Sequence, residues 1–194
     1  MTNSPYRAFK ETLVRFANGQ HGIRNPFVIA AVEPSIEHRV ATRLQTWVNG
    51  DETPALPDGV TVQPIWLDEL LPQTDAYRLL VDLGEEIDPS QIETTLQDRL
   101  TEELVSAMLE TELDHSDAER QNHIVLLLNL GSLYPFSRAS ELLDELDRRK
   151  VKSTIGIPFP GDLVGGKLNI YGGESRHYYP AHQVDEKIRE VDLQ

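Results

Sequence analysis

The chain has 194 residues, 39% of them hydrophobic, with no cysteine and with 32 acidic against 18 basic residues, a formal net charge of −14 at pH 7. This length and apolar fraction suit a globular chain with one good core, while the missing cysteine excludes disulfides, thiolate metal sites, iron–sulfur ligation and cysteine nucleophiles. The acidic balance lacks the positive field of a DNA-binding protein, so direct DNA binding by the isolated chain is not expected.

Only Lys10, Lys150, Lys152, Lys167 and Lys187 are lysines. An acidic, lysine-poor surface fits a halophilic host, where salt screens self-repulsion, or an arginine-preferring genome. Met1 to Arg15 lacks the unbroken apolar core of a signal peptide, and no later run reaches membrane-spanning length. A cytoplasmic protein with no membrane contact is expected.

Ser4 and Pro5 read as the cap and first position of a helix with Phe9, Leu13 and Phe16 on one face, closed by Gly19. Phe27 to Val32 is apolar without a break, as in a parallel strand covered on both sides. After Glu33-Pro34-Ser35, with Ser35 as the cap, Ile36, Val40, Leu44 and Trp47 mark a helix that Gly50 ends. A polar loop leads to a second strand, Val60 to Trp66, which completes a strand–helix–strand unit.

Short helices are predicted within Leu67 to Gly84, with Asp75 as a cap, then a long helix from Asp88-Pro89-Ser90, where Asp88 and Gln91 have capping-box spacing. Leu96, Leu100, Leu104 and Met108 line its buried face. Past an acidic connector, Ile124 to Leu130 reads as the central strand, emptying into Gly131-Ser132-Leu133-Tyr134-Pro135-Phe136. A helix with Leu142, Leu143 and Leu146 follows, then a strand from Ser153 to Phe159 and a stiff turn at Pro158 to Gly161. Lys167 to Tyr171 alternates like a strand, and residues 182–194 read as a short helical tail. The expectation is one α/β domain over residues 1–194: a mostly parallel sheet of about five strands flanked by helices, Rossmann-like or degenerate P-loop-like.

Gly161 to Lys167 satisfies the phosphate-loop spacing, yet Leu168 replaces the magnesium-binding hydroxyl and a strand follows where a helix is needed; a hairpin turn is the simpler reading. Glu33 and Pro34 stand where a nucleotide-binding protein has glycines. Ser132 fails the G-x-S-x-G elbow and reads as a cap or turn residue. The six histidines, His21, His38, His115, His123, His177 and His182, show no zinc spacing. His177 and His182 flank a turn, and Glu102-Glu103 and Glu85-Glu86 read as solvated acids. No catalytic set, cofactor or metal site is expected. A nucleotide or small-molecule binding regulatory subunit stays open as the alternative.

One stretch carries a resemblance. Leu128-Asn129-Leu130-Gly131-Ser132-Leu133-Tyr134-Pro135-Phe136-Ser137-Arg138, then Phe159-Pro160-Gly161, Leu168-Asn169-Ile170-Tyr171-Gly172 and Tyr178-Tyr179, resembles the BrxB family of BREX bacteriophage-exclusion systems. The resemblance is weighted to residues 123–180. It implies a subunit without established catalysis in a system that marks host DNA by adenine methylation. Its implied partners are a PglZ-like protein of the alkaline-phosphatase superfamily and other BREX subunits, among them a large ATPase and a methyltransferase. Leu133, Tyr134, Phe136, Arg138, Tyr178 and Tyr179 are the expected docking residues; the stoichiometry stays open.

Overall fold

A computed structural model describes residues 4–20, 22, 25–83, 88–113, 121–164, 167–170, 176–178 and 181–194. Helix α1, Pro5–Ala17, starts where Ser4 accepts the Arg7 N–H at 3.3 Å. Strand β1, Phe27–Val32, is buried along its whole length, as its unbroken apolar run predicts. Helix α2, Glu37–Val48, does not begin on a serine cap: Pro34–Ile36 forms a 3-10 turn first, and the cap position falls to Ile36. Proline's fixed φ favours that tighter entry over one capped by Ser35.

Strand β2, Thr61–Trp66, runs directly into α3, Leu67–Leu70, and then into α4, Asp75–Leu83. Thr74, not Asp75, caps α4, its Oγ1 accepting the Tyr77 N–H at 3.3 Å. Helix α5, Pro89–Ala107, is capped by Asp88, whose carboxylate accepts from Ser90 N at 2.8 Å, one residue before Gln91. A π-helical turn, Met108–Glu112, extends it. Strand β3, His123–Leu128, helix α6, Ala139–Arg148, and strand β4, Thr154–Val164, form the second strand–helix–strand unit, with β3 and β4 parallel.

Five strands make the parallel sheet, in the order β2-β3-β4-β1-β7, where β7 is His182–Gln183. Two readings change here. Pro158 to Gly161 is not a turn: β4 continues through it, parallel to β1 as far as Val32↔Pro160, and then pairs antiparallel with β5, Lys167–Ile170. Gly161 permits this, because a Cβ there would lie 2.1 Å from the backbone oxygen of Asn169. The C-terminal stretch is not helical either. It lays β7 and a bridge at Ile188 along β1 and ends in a 3-10 turn, Glu190–Leu193, since Val184 and Ile188 are drawn into the sheet's core. Between β5 and β7 in the chain, β6, Arg176–Tyr178, pairs with β5.

Alternation along the strands divides the core into two. Val28, Ala30, Ile124 and Leu126 meet α1 and α2, with Phe9, Leu13, Val40 and Trp47. Phe27, Ile29, Val125 and Leu127 meet the other layer, with Leu70, Ala76, Leu100, Leu104 and Leu142. The architecture is α/β, a five-stranded parallel sheet flanked by helices and Rossmann-like in its layering.

Candidate functional site

Parallel sheets present their ligand loops at the carboxyl ends of the strands. Here the segments leaving β1, β2 and β3 converge there. Asn129 leaves β3 with φ of 61°, a left-handed conformation that asparagine tolerates better than most residues. A 3-10 turn, Leu130–Leu133, follows, in which Ser132 Oγ donates to Asn129 O at 2.7 Å. A backbone carbonyl thus takes the proton that a nucleophilic serine would give to a base, and the turn reading of Ser132 fits.

Gly131 N donates to Glu37 Oε1 at 2.8 Å, which ties the loop after β3 to the start of α2. Glu37 is 6% exposed, and burial raises its carboxyl above the usual value; the Gly131 bond opposes that rise, Asp68 adds to it and His38 lowers it. Asp68 Oδ1 is buried with no hydrogen-bond partner. The His38 ring lies 5.5 Å from that of Trp66. The edge is therefore carboxylate-lined, and Glu37 already occupies one backbone donor that an anion could use.

The expected docking residues separate. Leu133 is a correction: it is 1% exposed and packs in the α4–α6 core, because the 3-10 turn points it inward. Tyr134 stands out, 43% exposed. Phe136 is half-buried against the same core, and half-buried Arg138 starts α6, its N–H donating to Glu141 Oε2 at 3.2 Å. Buried Ser137 holds the loop to α5 through Thr101, with the hydroxyls 2.8 Å apart. Tyr178 lies in β6 with its backbone paired to Lys167, and Tyr179 lies outside the described residues.

The remaining candidates resolve locally. Lys167 opens a strand paired antiparallel to Val164, so the phosphate-loop spacing is a hairpin. His123 Nδ1 sits 3.1 Å from Ser153 Oγ, and His182 packs edge-on to Phe16 at 5.4 Å. The side chain of His177, and His21, His115, Glu85 and Glu86, lie outside the description. Glu103 is no idle surface acid: it pairs with Arg99 at 2.6 Å and accepts Ala76 N at 2.7 Å. Among the described residues, no group of three or more His, Asp or Glu could hold a metal.

Composition and periodicity missed one polar cluster. Lys10, 2% exposed, donates to Glu52 Oε2 at 2.8 Å and to Thr53 O at 2.6 Å. Tyr6 OH donates to the same carboxylate at 2.7 Å, and Arg43 bonds both Glu52 and Leu193 O. Burial, with Arg43 and Arg7 nearby, pulls Lys10 down to about 8, and burial raises the Tyr6 hydroxyl. A lysine in an apolar helix face four residues after a tyrosine was the available signal. The cluster binds α1, α2, the 51–54 loop and the C-terminus together.

The family model for BREX protein BrxB matches residues 62–184, from β2 through β7. The chain belongs to the BrxB family. It is thus a component of a BREX phage-defence system. The BrxB match reaches well upstream of the segment that carried the resemblance, taking in α3, α4 and α5, while α1, β1 and α2 lie before it. No curated protein and no solved structure matches the chain. No described helix is long and apolar enough to cross a membrane.

Proposed function

We propose that this BrxB-family chain is a non-catalytic adaptor or scaffold of its BREX system, associating with the PglZ-type protein. The observation that carries this reading is the loop between β3 and α6. It is tied down at Gly131, Ser132 and Ser137, and it holds Tyr134 out to solvent beside half-buried Phe136 and Arg138. A rigid backbone with one exposed aromatic suits docking, since little conformational freedom is lost on binding. The groups with chemical potential, Glu37 and Ser132, face internal partners instead. Co-expression with the PglZ-type protein of the same system should yield a complex that survives purification, and Tyr134→Ala should weaken it. A chain that remains alone beside every subunit at matched salt overturns the proposal.

A second reading draws on Asp68 Oδ1, buried and unpartnered at the carboxyl edge. A regulatory subunit could place the donor of a nucleobase or another small molecule there. Ligand binding would raise the melting temperature by mass action. No shift with ATP, GTP or cyclic nucleotides removes this reading.

A further inference from the structure

The two helical layers carry different charge. Helices α1 and α2 bear Arg7, Lys10, Arg15, Arg39 and Arg43 against Glu11 and Glu37. Across the sheet, α5 with its π turn bears Glu93, Asp98, Glu102, Glu103, Glu110 and Glu112 against Arg99 alone. Of these helices, the one with the marked acidic excess is α5.

That face also has a groove and an apolar rim. A cavity of about 550 Å³ opens between α4 and α5, lined among others by Asp75, Arg78, Arg99, Glu102, Glu103 and Glu110. Both arginines are matched, Arg78 to Asp75 at 3.9 Å and Arg99 to Glu103 at 2.6 Å. Among the described residues Glu102 pairs with Arg149 alone, at 4.0 Å, and no cation pairs with exposed Glu110. Beside the groove, α4 exposes Tyr77, Leu79 and Val81, at 36, 39 and 67%. Tyr77 and Val81 are one turn apart and form one outward patch. Tyr77 and Val81, left in water on one nine-residue helix next to an excess of carboxylates, form the pattern of an interface core with a charged rim, while Leu79 lies on the helix's other flank.

We propose that the α4–α5 face is a second docking surface, and that its occupant is a lysine- or arginine-rich protein segment with an apolar side chain. The apolar residue covers Tyr77 and Val81, and a cation enters the groove toward Glu102 and Glu110. The partner is basic because the groove's spare charge is negative; an acidic or neutral segment would leave those carboxylates desolvated without compensation. The face lies within the BrxB-matched span. This inference rests on the adaptor reading: a subunit that holds two partners needs a surface besides the Tyr134 loop.

The test uses the full chain and each BREX subunit of its own system, purified singly. One subunit should bind the parent chain with an affinity that falls steeply as salt rises. Val81→Lys combined with Glu110→Lys should lose about tenfold or more of that affinity. The milder pair Glu102→Gln and Glu110→Gln should lose part of it, whereas Val191→Lys, an exposed position away from this face, should bind as the parent does. Unchanged melting temperatures establish that the variants are folded. If every subunit held by the parent is held equally by the α4–α5 variants, or if the binding is indifferent to salt, this inference falls and the adaptor reading stands. If the parent holds no subunit, the adaptor reading falls and takes this one with it.

Discussion

The helical layers on the two sides of the sheet hold on by different means. The α1–α2 layer has a polar cluster sunk into it, Lys10, Glu52, Tyr6 and Arg43, whose bonds reach the 51–54 loop and the chain's last residues. The α4–α6 layer is held chiefly by apolar packing of Leu96, Leu100, Leu104, Leu142 and Leu146, and its buried acid, Glu145, is paired at the edge with Arg148 and Arg149, each at 2.8 Å. The difference matters because the two designs fail differently. A buried ion cluster contributes little beyond a hydrophobic equivalent, yet collapses when one member is removed. A leucine seam loses stability in proportion to the volume deleted, and it leaves the outer surface free for other uses.

The largest expected effect tests the first design. Glu52→Ala strands Lys10 in a poorly hydrated site and should cost about 3–5 kcal/mol in urea unfolding. Pairing Glu52→Gln with Lys10→Met should recover most of that loss, because the stranded charge goes with it. A double variant as unstable as Glu52→Ala would show that the cluster supplies net stability.

Next comes the leucine seam. Leu100, 2% exposed, faces the opposite core, and Leu100→Ala should cost about 2–5 kcal/mol with little dependence on salt or pH. A strongly pH-dependent loss would mean that ionic contacts also pin this layer, and the contrast between the layers would weaken.

A smaller effect is expected at the clamp joining α2 to the β3 loop. Glu37→Ala leaves Gly131 N without its acceptor and should cost about 1–3 kcal/mol. Glu37→Gln keeps an acceptor oxygen and separates the bond from the charge. A carboxyl that holds its proton more tightly when folded contributes fully below its ordinary value of 4.5, and that contribution fades as pH rises through the higher native value. Glu37→Gln should therefore gain stability relative to the parent as pH is raised from 4 toward 7, read from melting temperatures across that range. Parallel curves for the two chains would show that burial does not perturb Glu37.

The smallest effects belong to the outer surfaces. Val81→Lys should change stability by no more than about 0.5 kcal/mol and Tyr134→Ala by no more than about 1 kcal/mol, since neither side chain belongs to the buried core. Their consequences should appear in complex formation. A large loss of stability from Val81→Lys would make α4's outer face part of the fold and not a surface for a partner.

Much of this frame is legible in the chain. Phe27 to Val32 and Ile124 to Leu128 are apolar at every position, which in a sheet requires cover on both faces. The four-residue recurrence from Leu96 to Met108 places α5 with equal directness. The same logic misleads where backbone pairing overrules local signals. Pro158-Phe159-Pro160-Gly161 has turn chemistry but lies in β4, because β1 supplies a parallel partner and Gly161 lets β5 approach. Val184, Ile188 and Val191 have helical spacing, yet the chain uses the first two to extend the sheet past β1.

The candidate site shows the same division. Its place after β3, its turn residues and its aromatics follow from the order of residues between Asn129 and Arg138. Which of those side chains reaches solvent does not. Leu133 and Tyr134 are neighbours of similar apolar weight, and only the left-handed Asn129 and the 3-10 turn after it send one into the core and the other out. The Glu37–Gly131 clamp spans 94 positions, and the bond from Tyr6 to Glu52 spans 46. Local periodicity therefore determined most of the elements and the two-faced core, Pro158 to Gly161 and the C-terminal stretch excepted, since these depend on neighbours along the chain. Partners brought together across the sheet were decided by tertiary structure alone, because a hydrogen bond or ion pair depends on distance in space and leaves no spacing rule in the sequence.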